Sequence, residues 1–191
     1  MDIDRLKQLS GIKLYEINFV NFDRNMADKI TTSPTTVKGK NSAFASFKKK
    51  IGNYDFLFFS NDSFFFKKEK AYGVLWNESS PIGLIGFNKY NHPNIGKVFF
   101  VESVNIKKEF AGQNLAYQMY TALILEYGLV IQSGVNHTPF SKRLYEKLLK
   151  NPSIDAKLYD SRTEELTDID QNNNPYKDGT YTSIILKKSN L

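Results

Sequence analysis

The sequence predicts an α/β chain of the α+β kind, in which a run of antiparallel strands feeds a strand, a tight turn and a helix. Three observations carry that reading. Residues 98–106, VFFVESVNI, are rich in β-branched and aromatic side chains, which suit a pleated, largely buried surface and predict an interior strand. Gly112 then punctuates the chain, and Leu115, Ala116, Met119, Ala122 and Leu123 recur beyond it at helical spacing. Upstream, alternating and aromatic runs broken by turn residues read as short strands. With 191 residues, 41% of them hydrophobic and including 15 Phe and 11 Tyr, the chain has material for one core, so residues 1–191 are expected to form a single domain.

Taken in order, Ile3, Leu6 and Leu9 make residues 1–10 a short helix within an N-terminal extension, 1–13. Leu14, Glu16, Asn18 and Val20 then alternate with Tyr15, Ile17 and Phe19, which predicts a strand over 14–20. Residues 24–30 read as helix, and 31–41, with Pro34 and Gly39, as a loop. A second helix is expected over 42–51, with Phe44 and Phe47 on one side and Lys48, Lys49 and Lys50 at its C-terminal end, where cations are favoured. Residues 54–66 read as two aromatic extended segments around a turn at 60–63. Strands follow at 72–76 and 82–87, joined by a hairpin-like connection at 77–81. A loop over 88–96 leads into the central strand.

Beyond the helix, Gly128 is a natural C-cap and 129–132 a short apolar strand. After a loop at 133–137, Thr138 serves as N-cap with Pro139 at the first helical position, and Phe140, Leu144 and Leu148 give the next helix its apolar stripe. Strands at 156–159 and 181–187 end the chain around a polar loop, 161–179.

Composition excludes several classes. There is no Cys, hence no disulfide, thiolate zinc site or catalytic thiol. His92 and His137 lie far apart in sequence, so a metal site has no support. No run approaches the roughly 18 apolar residues of a membrane span, and the first residues do not resemble a basic signal sequence, so a cytoplasmic protein with no membrane partner is expected. The net charge of +6 permits attraction to polyanions, but it is carried by Lys clusters such as Lys107 and Lys108 rather than by Arg interleaved with aromatics, so nucleic acid is weakly supported. A basic rim also suits a phosphorylated cofactor. The strand, turn and helix start around Gly112 leaves backbone N–H groups facing outward, an arrangement that invites a phosphate.

Residues Ala111, Gly112, Gln113, Asn114, Leu115 and Ala116 resemble the pyrophosphate turn of the GNAT acetyltransferases, Arg/Gln-x-x-Gly-x-Gly/Ala. Gly112 and Ala116 fit it; Ala111 stands where Arg or Gln is expected and Asn114 where the second Gly is expected. Asn is the non-Gly residue that best tolerates positive φ. Residues 138–148 resemble the second signature of the family, with Thr138 and Ser141 replacing the usual Asn and Ala and Leu144 to Leu148 fitting well. The order of elements is also similar to that of the family, over roughly 14–187. The resemblance implies a GNAT-like central mixed, mostly antiparallel sheet flanked by helices, and acetyl-CoA as co-substrate. Backbone groups of Val104 and Ile106 would hold the pantetheine arm, and those of Ala111, Gly112, Gln113, Asn114, Leu115 and Ala116 the pyrophosphate. The acetyl group would pass directly to an amine of a small molecule or protein that the sequence does not identify.

The same resemblance implies that Tyr145 protonates the departing thiolate, a role that suits a phenol, while packing in the core is the plain alternative. Glu102, an acidic residue inside an apolar strand, must be paired, face a cleft or carry a raised pKa. The resemblance makes it a general base acting through water; an ion pair with a Lys is the alternative. His137, near Ser133, has the right chemistry for a base but sits in a loop where histidines are mostly solvated. The departures at Ala111 and Asn114 leave a catalytically inactive GNAT-like binding protein as a second reading. A GNAT-like enzyme acting on nucleic acid is a third.

Overall fold

The computed structural model describes residues 45–60, 70–78, 80–169 and 181–189. The elements expected at 1–10, 14–20, 24–30 and 31–41 lie outside these residues, as do the second aromatic segment at 64–66 and the polar loop beyond Ile169.

Among the described residues nine strands form one sheet: β1 (Phe47–Ile51), β2 (Tyr54–Phe59), β3 (Lys70–Asn77), β4 (Ser80–His92), β5 (Gly96–Ile106), β6 (Ile131–Gln132), β7 (Ile154–Asp160), β8 (Glu165–Asp168) and β9 (Thr182–Lys188). Their spatial order is β1-β2-β3-β4-β5-β6-β9-β7-β8. Every pairing is antiparallel except that of β5 with β6. The mixed, mostly antiparallel sheet expected from the sequence is therefore present. Two helices complete the described fold, α1 (Leu115–Thr121) and α2 (Pro139–Leu149). No helix among the described residues is long and apolar enough to cross a membrane.

Both helices pack on one face of the sheet. Phe56, Phe58, Leu75, Ile85, Phe87, Phe99, Ile131, Ile184 and Leu186 project to that side and meet Leu115, Met119 and Tyr120 of α1 and Leu144, Tyr145 and Leu148 of α2. Period-2 alternation sends Leu57, Phe59, Val74, Trp76 and Leu84 to the other face, where they form a smaller buried cluster. α1 runs on as a π-helical turn (Ala122–Glu126), closed by the Tyr127 N–H donating to the Ala122 carbonyl at 3.1 Å. Gly128, at φ +81, ends it, with the Leu129 N–H returning to the Leu123 carbonyl at 2.9 Å, as its expected C-cap role requires.

Four expectations are corrected. The helix expected over 42–51 is not formed in its described part: 47–51 are strand β1, paired with β2 from Phe47↔Phe58 to Ile51↔Tyr54. Phe47, Lys49 and Ile51 share the more buried side while Lys48 and Lys50 are exposed, a period of two that the Lys run concealed. The loop expected at 88–96 is strand except for its tip, since β4 continues to His92 and β5 begins at Gly96, whose φ of +85 serves the turn. In the polar loop at 161–179, β8 pairs back on β7 through a tight turn in which Glu164 has φ +58. Phe140 does not belong to the stripe of α2. It is 52% exposed, and Tyr145 takes its place beside Leu144 and Leu148. The Thr138 cap stands as expected, its hydroxyl accepting from the Ser141 N–H at 3.2 Å with Pro139 next in line.

Candidate active site

β5 is interior for only part of its length. It pairs with β6 at Phe99↔Ile131 and Phe100↔Gln132, after which no strand among the described residues covers that side. The chain beyond β6 leaves for β9, with the Ser133 N–H donating to the Ile184 carbonyl at 2.8 Å. Between Val101 and Ser103 a bulge at Glu102 interrupts the pairing with β4. At the far end the Lys107 N–H donates to the Ile82 carbonyl of β4 at 2.8 Å. Alternation along the extended chain then turns the N–H and C=O groups of Val104 and Ile106 away from β4, into the gap. These are the two residues whose backbone the resemblance assigns to a pantetheine arm.

The turn that follows is built from both sides. Lys108–Phe110 form a single 3₁₀ turn, Ala111 is extended, Gly112 has φ +83 and Asn114 has φ 59 and ψ 21. Asn114 thus holds the left-handed conformation that a Gly there would have supplied. No side chain caps the start of α1, so the first N–H groups of that helix are left for water or a ligand. Tyr54, next to the β1–β2 turn, donates to Gln113 Oε1 at 3.0 Å, and its ring meets Phe110 edge-on at 5.8 Å. From α2, Lys147 Nζ donates to Asn114 Oδ1 at 3.1 Å. Tyr54 and Lys147 were not singled out from the sequence; Lys147 stood inside the second signature, within Leu144 to Leu148. Leu115 and Ala116, assigned to the pyrophosphate, have side chains buried in the core, so only their backbone is available.

Tyr145 is buried on the helix side of the sheet, its hydroxyl 3.3 Å from that of Tyr120 and its ring edge-on to His137 at 5.2 Å. Burial drives the Tyr120 phenol well above its ordinary range, with Tyr145 adding to the shift. His137 Nε2 lies 3.5 Å from Ser133 Oγ, which accepts from the Ile184 N–H at 2.9 Å. Ser133 is fully buried and anchors the loop beyond β6.

Glu102 lies on the opposite face. Its two carboxylate oxygens accept from Lys70 Nζ at 2.9 and 2.8 Å, and the pair is partly exposed. Its charge also raises the Tyr72 phenol, after the larger effect of burial. The structure therefore does not bring Glu102 and Tyr145 together; the sheet lies between them. The ion pair foreseen as the alternative for Glu102 is present.

A partly buried polar chain links the strands beside the gap. Tyr90 of β4 donates to Gln132 Oε1, and Gln132 Nε2 donates to Ser183 Oγ of β9 at 2.7 Å. Burial, then the neighbouring Tyr159, pushes the Tyr90 phenol up to about 12. The folded state thus keeps a proton that the unfolded chain releases near pH 10, so the stability it contributes is full below about pH 10 and is lost as pH rises toward 12. Urea midpoints of the wild type are expected to fall more steeply than those of Tyr90→Phe between pH 10 and 12. Superimposed curves would assign that proton elsewhere.

The fold is α+β, with a parallel strand pair only two residue pairs long, an open strand edge beyond it and a left-handed turn at the end of that strand. No family model matches the sequence, and no curated protein matches it. Among solved structures, the chain is similar to a Bacteroides thetaiotaomicron protein assigned to the GNAT acetyltransferases (14% identity, TM-score 0.36, 63% of this chain and 62% of that one). It is also similar to the diaminobutyrate acetyltransferase EctA of Paenibacillus lautus, solved with L-2,4-diaminobutyric acid and coenzyme A (14% identity, TM-score 0.36, 61% of this chain and 69% of that one). A third is the IAA acetyltransferase of Bacillus cereus (15% identity, TM-score 0.34, 64% of this chain and 79% of that one). These neighbours are acetyltransferases, and the likeness to them is distant.

Proposed function

We propose that the chain is an acyltransferase of the GNAT type that moves an acetyl group from acetyl-CoA to an amine, working in the cytoplasm. The observation that carries this reading is the open edge of β5, where the backbone groups of Val104 and Ile106 face a gap that no strand among the described residues fills. An amide-bearing pantetheine arm bonds such an edge as an added strand would. The phosphates then fall at the turn 111–116, where outward N–H groups suit them. In this reading the amine attacks the thioester carbonyl from the Glu102 face, and Tyr145 protonates the leaving thiolate from the helix face. Glu102 takes the amine proton through water, which requires Lys70 to yield part of its hold.

Calorimetry with acetyl-CoA and thiol release on a panel of amines test the proposal. Binding with turnover is expected, and Tyr145→Phe should bind CoA as the wild type does while turning over at least about tenfold more slowly. No binding at millimolar CoA would sink the reading. The inactive binding protein is the second reading, favoured by the occupied carboxylate of Glu102; CoA binding without turnover on any amine would select it.

A further inference from the structure

We infer that Lys147, reaching across from α2, supplies the positive charge that the turn itself lacks, so that the site reads the pyrophosphate of CoA rather than the pantetheine arm alone; this rests on the acyltransferase reading above. Position 111 offers only a methyl group, and the Gly112 and Gln113 side chains carry no charge. Lys147 Nζ is fixed at the turn by its bond to Asn114 Oδ1, 3.1 Å away. Its partner sets it apart from the five lysines that pair with carboxylates. Lys49, Lys50, Lys70, Lys157 and Lys187 each pair with a carboxylate, which cancels their charge locally. Lys147 spends one N–H on a neutral amide, and no carboxylate among the described residues pairs with it. Two further donors and the full charge remain for an anion. Arg143 and Lys150 lie one turn to either side on the same stripe of α2 and add charge of the same sign.

The turn is also held before any ligand arrives. Tyr54 grips Gln113 from one side and Lys147 grips Asn114 from the other, so side chains of two other elements hold the turn. Such preorganisation lowers the cost of binding.

Calorimetry of the full chain with CoA and with pantetheine, which lacks every phosphate, tests the inference. Lys147→Gln is expected to weaken CoA binding by about 10-fold or more, the effect of losing one charge-assisted hydrogen bond, without changing pantetheine binding. Lys147→Arg should restore it. Lys97→Gln, the same charge loss at the far end of β5, should leave CoA binding within about twofold. If Lys147 acts by charge, the difference in CoA affinity between the wild type and Lys147→Gln shrinks as salt is raised from about 0.05 to about 0.5 M; a difference independent of salt would mean that Lys147 only props the turn, and the inference falls. Equal binding of CoA and pantetheine by the wild type, or unchanged CoA binding by Lys147→Gln, overturns the inference and leaves the acyltransferase reading standing. A wild type that binds neither ligand overturns both.

Discussion

Asn114→Val is expected to destabilise the protein by about 1–3 kcal/mol and to weaken CoA binding by about 10- to 100-fold. The residue sits at φ 59 and ψ 21, a conformation that a β-branched side chain tolerates poorly. Val must either hold that strain or swing the backbone to negative φ. The swing would turn the N–H groups at the start of α1 away from the gap, and Val also removes the amide that steers Lys147. Urea unfolding reads the first loss and calorimetry the second. A Val variant as stable as the wild type with undiminished CoA affinity would show that the turn conformation is not what binds the ligand.

Phe58→Ala is expected to lower stability by about 3–5 kcal/mol, measured by urea unfolding. Phe58 is wholly buried, and its ring lies 5.9 Å from Phe87, 5.9 Å from Phe99 and 5.4 Å from Tyr127. Those partners come from β4, β5 and the end of the helical run after α1, so one ring joins sheet and helix. The edge-on pairs add about 0.5–1.5 kcal/mol each beyond burial, and the cavity is walled by rings that are slow to collapse into it. A loss below about 1 kcal/mol would mean that the cluster repacks.

The parts of the fold legible in the sequence are those where one physical signal acted alone. Residues 98–106 had no competing reading, and Thr138, Pro139, Gly112 and Gly128 each fill a conformational role that few other residues fill. Residues 47–51 show the opposite case. Phe47 and Ile51 sit four apart, which suits a helix, and also on alternating positions, which suits a strand; the two-residue turn at Gly52 and Asn53, with Gly52 at φ +57, decided it. Phe140 matched the period of α2 but lies in its first turn, beyond the reach of the sheet. In the candidate site, the roles of Val104, Ile106, Gly112 and Asn114 were expected from the resemblance, and what residue type alone made legible was the positive φ of Gly112 and Asn114. The face that Glu102 takes was not legible, because a bulge sets the direction of its side chain and bulges leave no mark on the hydrophobic pattern. The Lys147 contact joins residues 33 apart in sequence and depends on how α2 crosses α1.

The brevity of β6 bears on how the chain folds. β1 to β5 are joined by successive antiparallel pairings, so nearly every contact in that half closes a short loop and can form early. The other half must bring β9 back from the end of the chain to lie between β6 and β7. The two halves meet at a seam two residue pairs wide. The edge beside Val104 thus borders the narrowest join of the sheet, and local opening in the native protein should begin there.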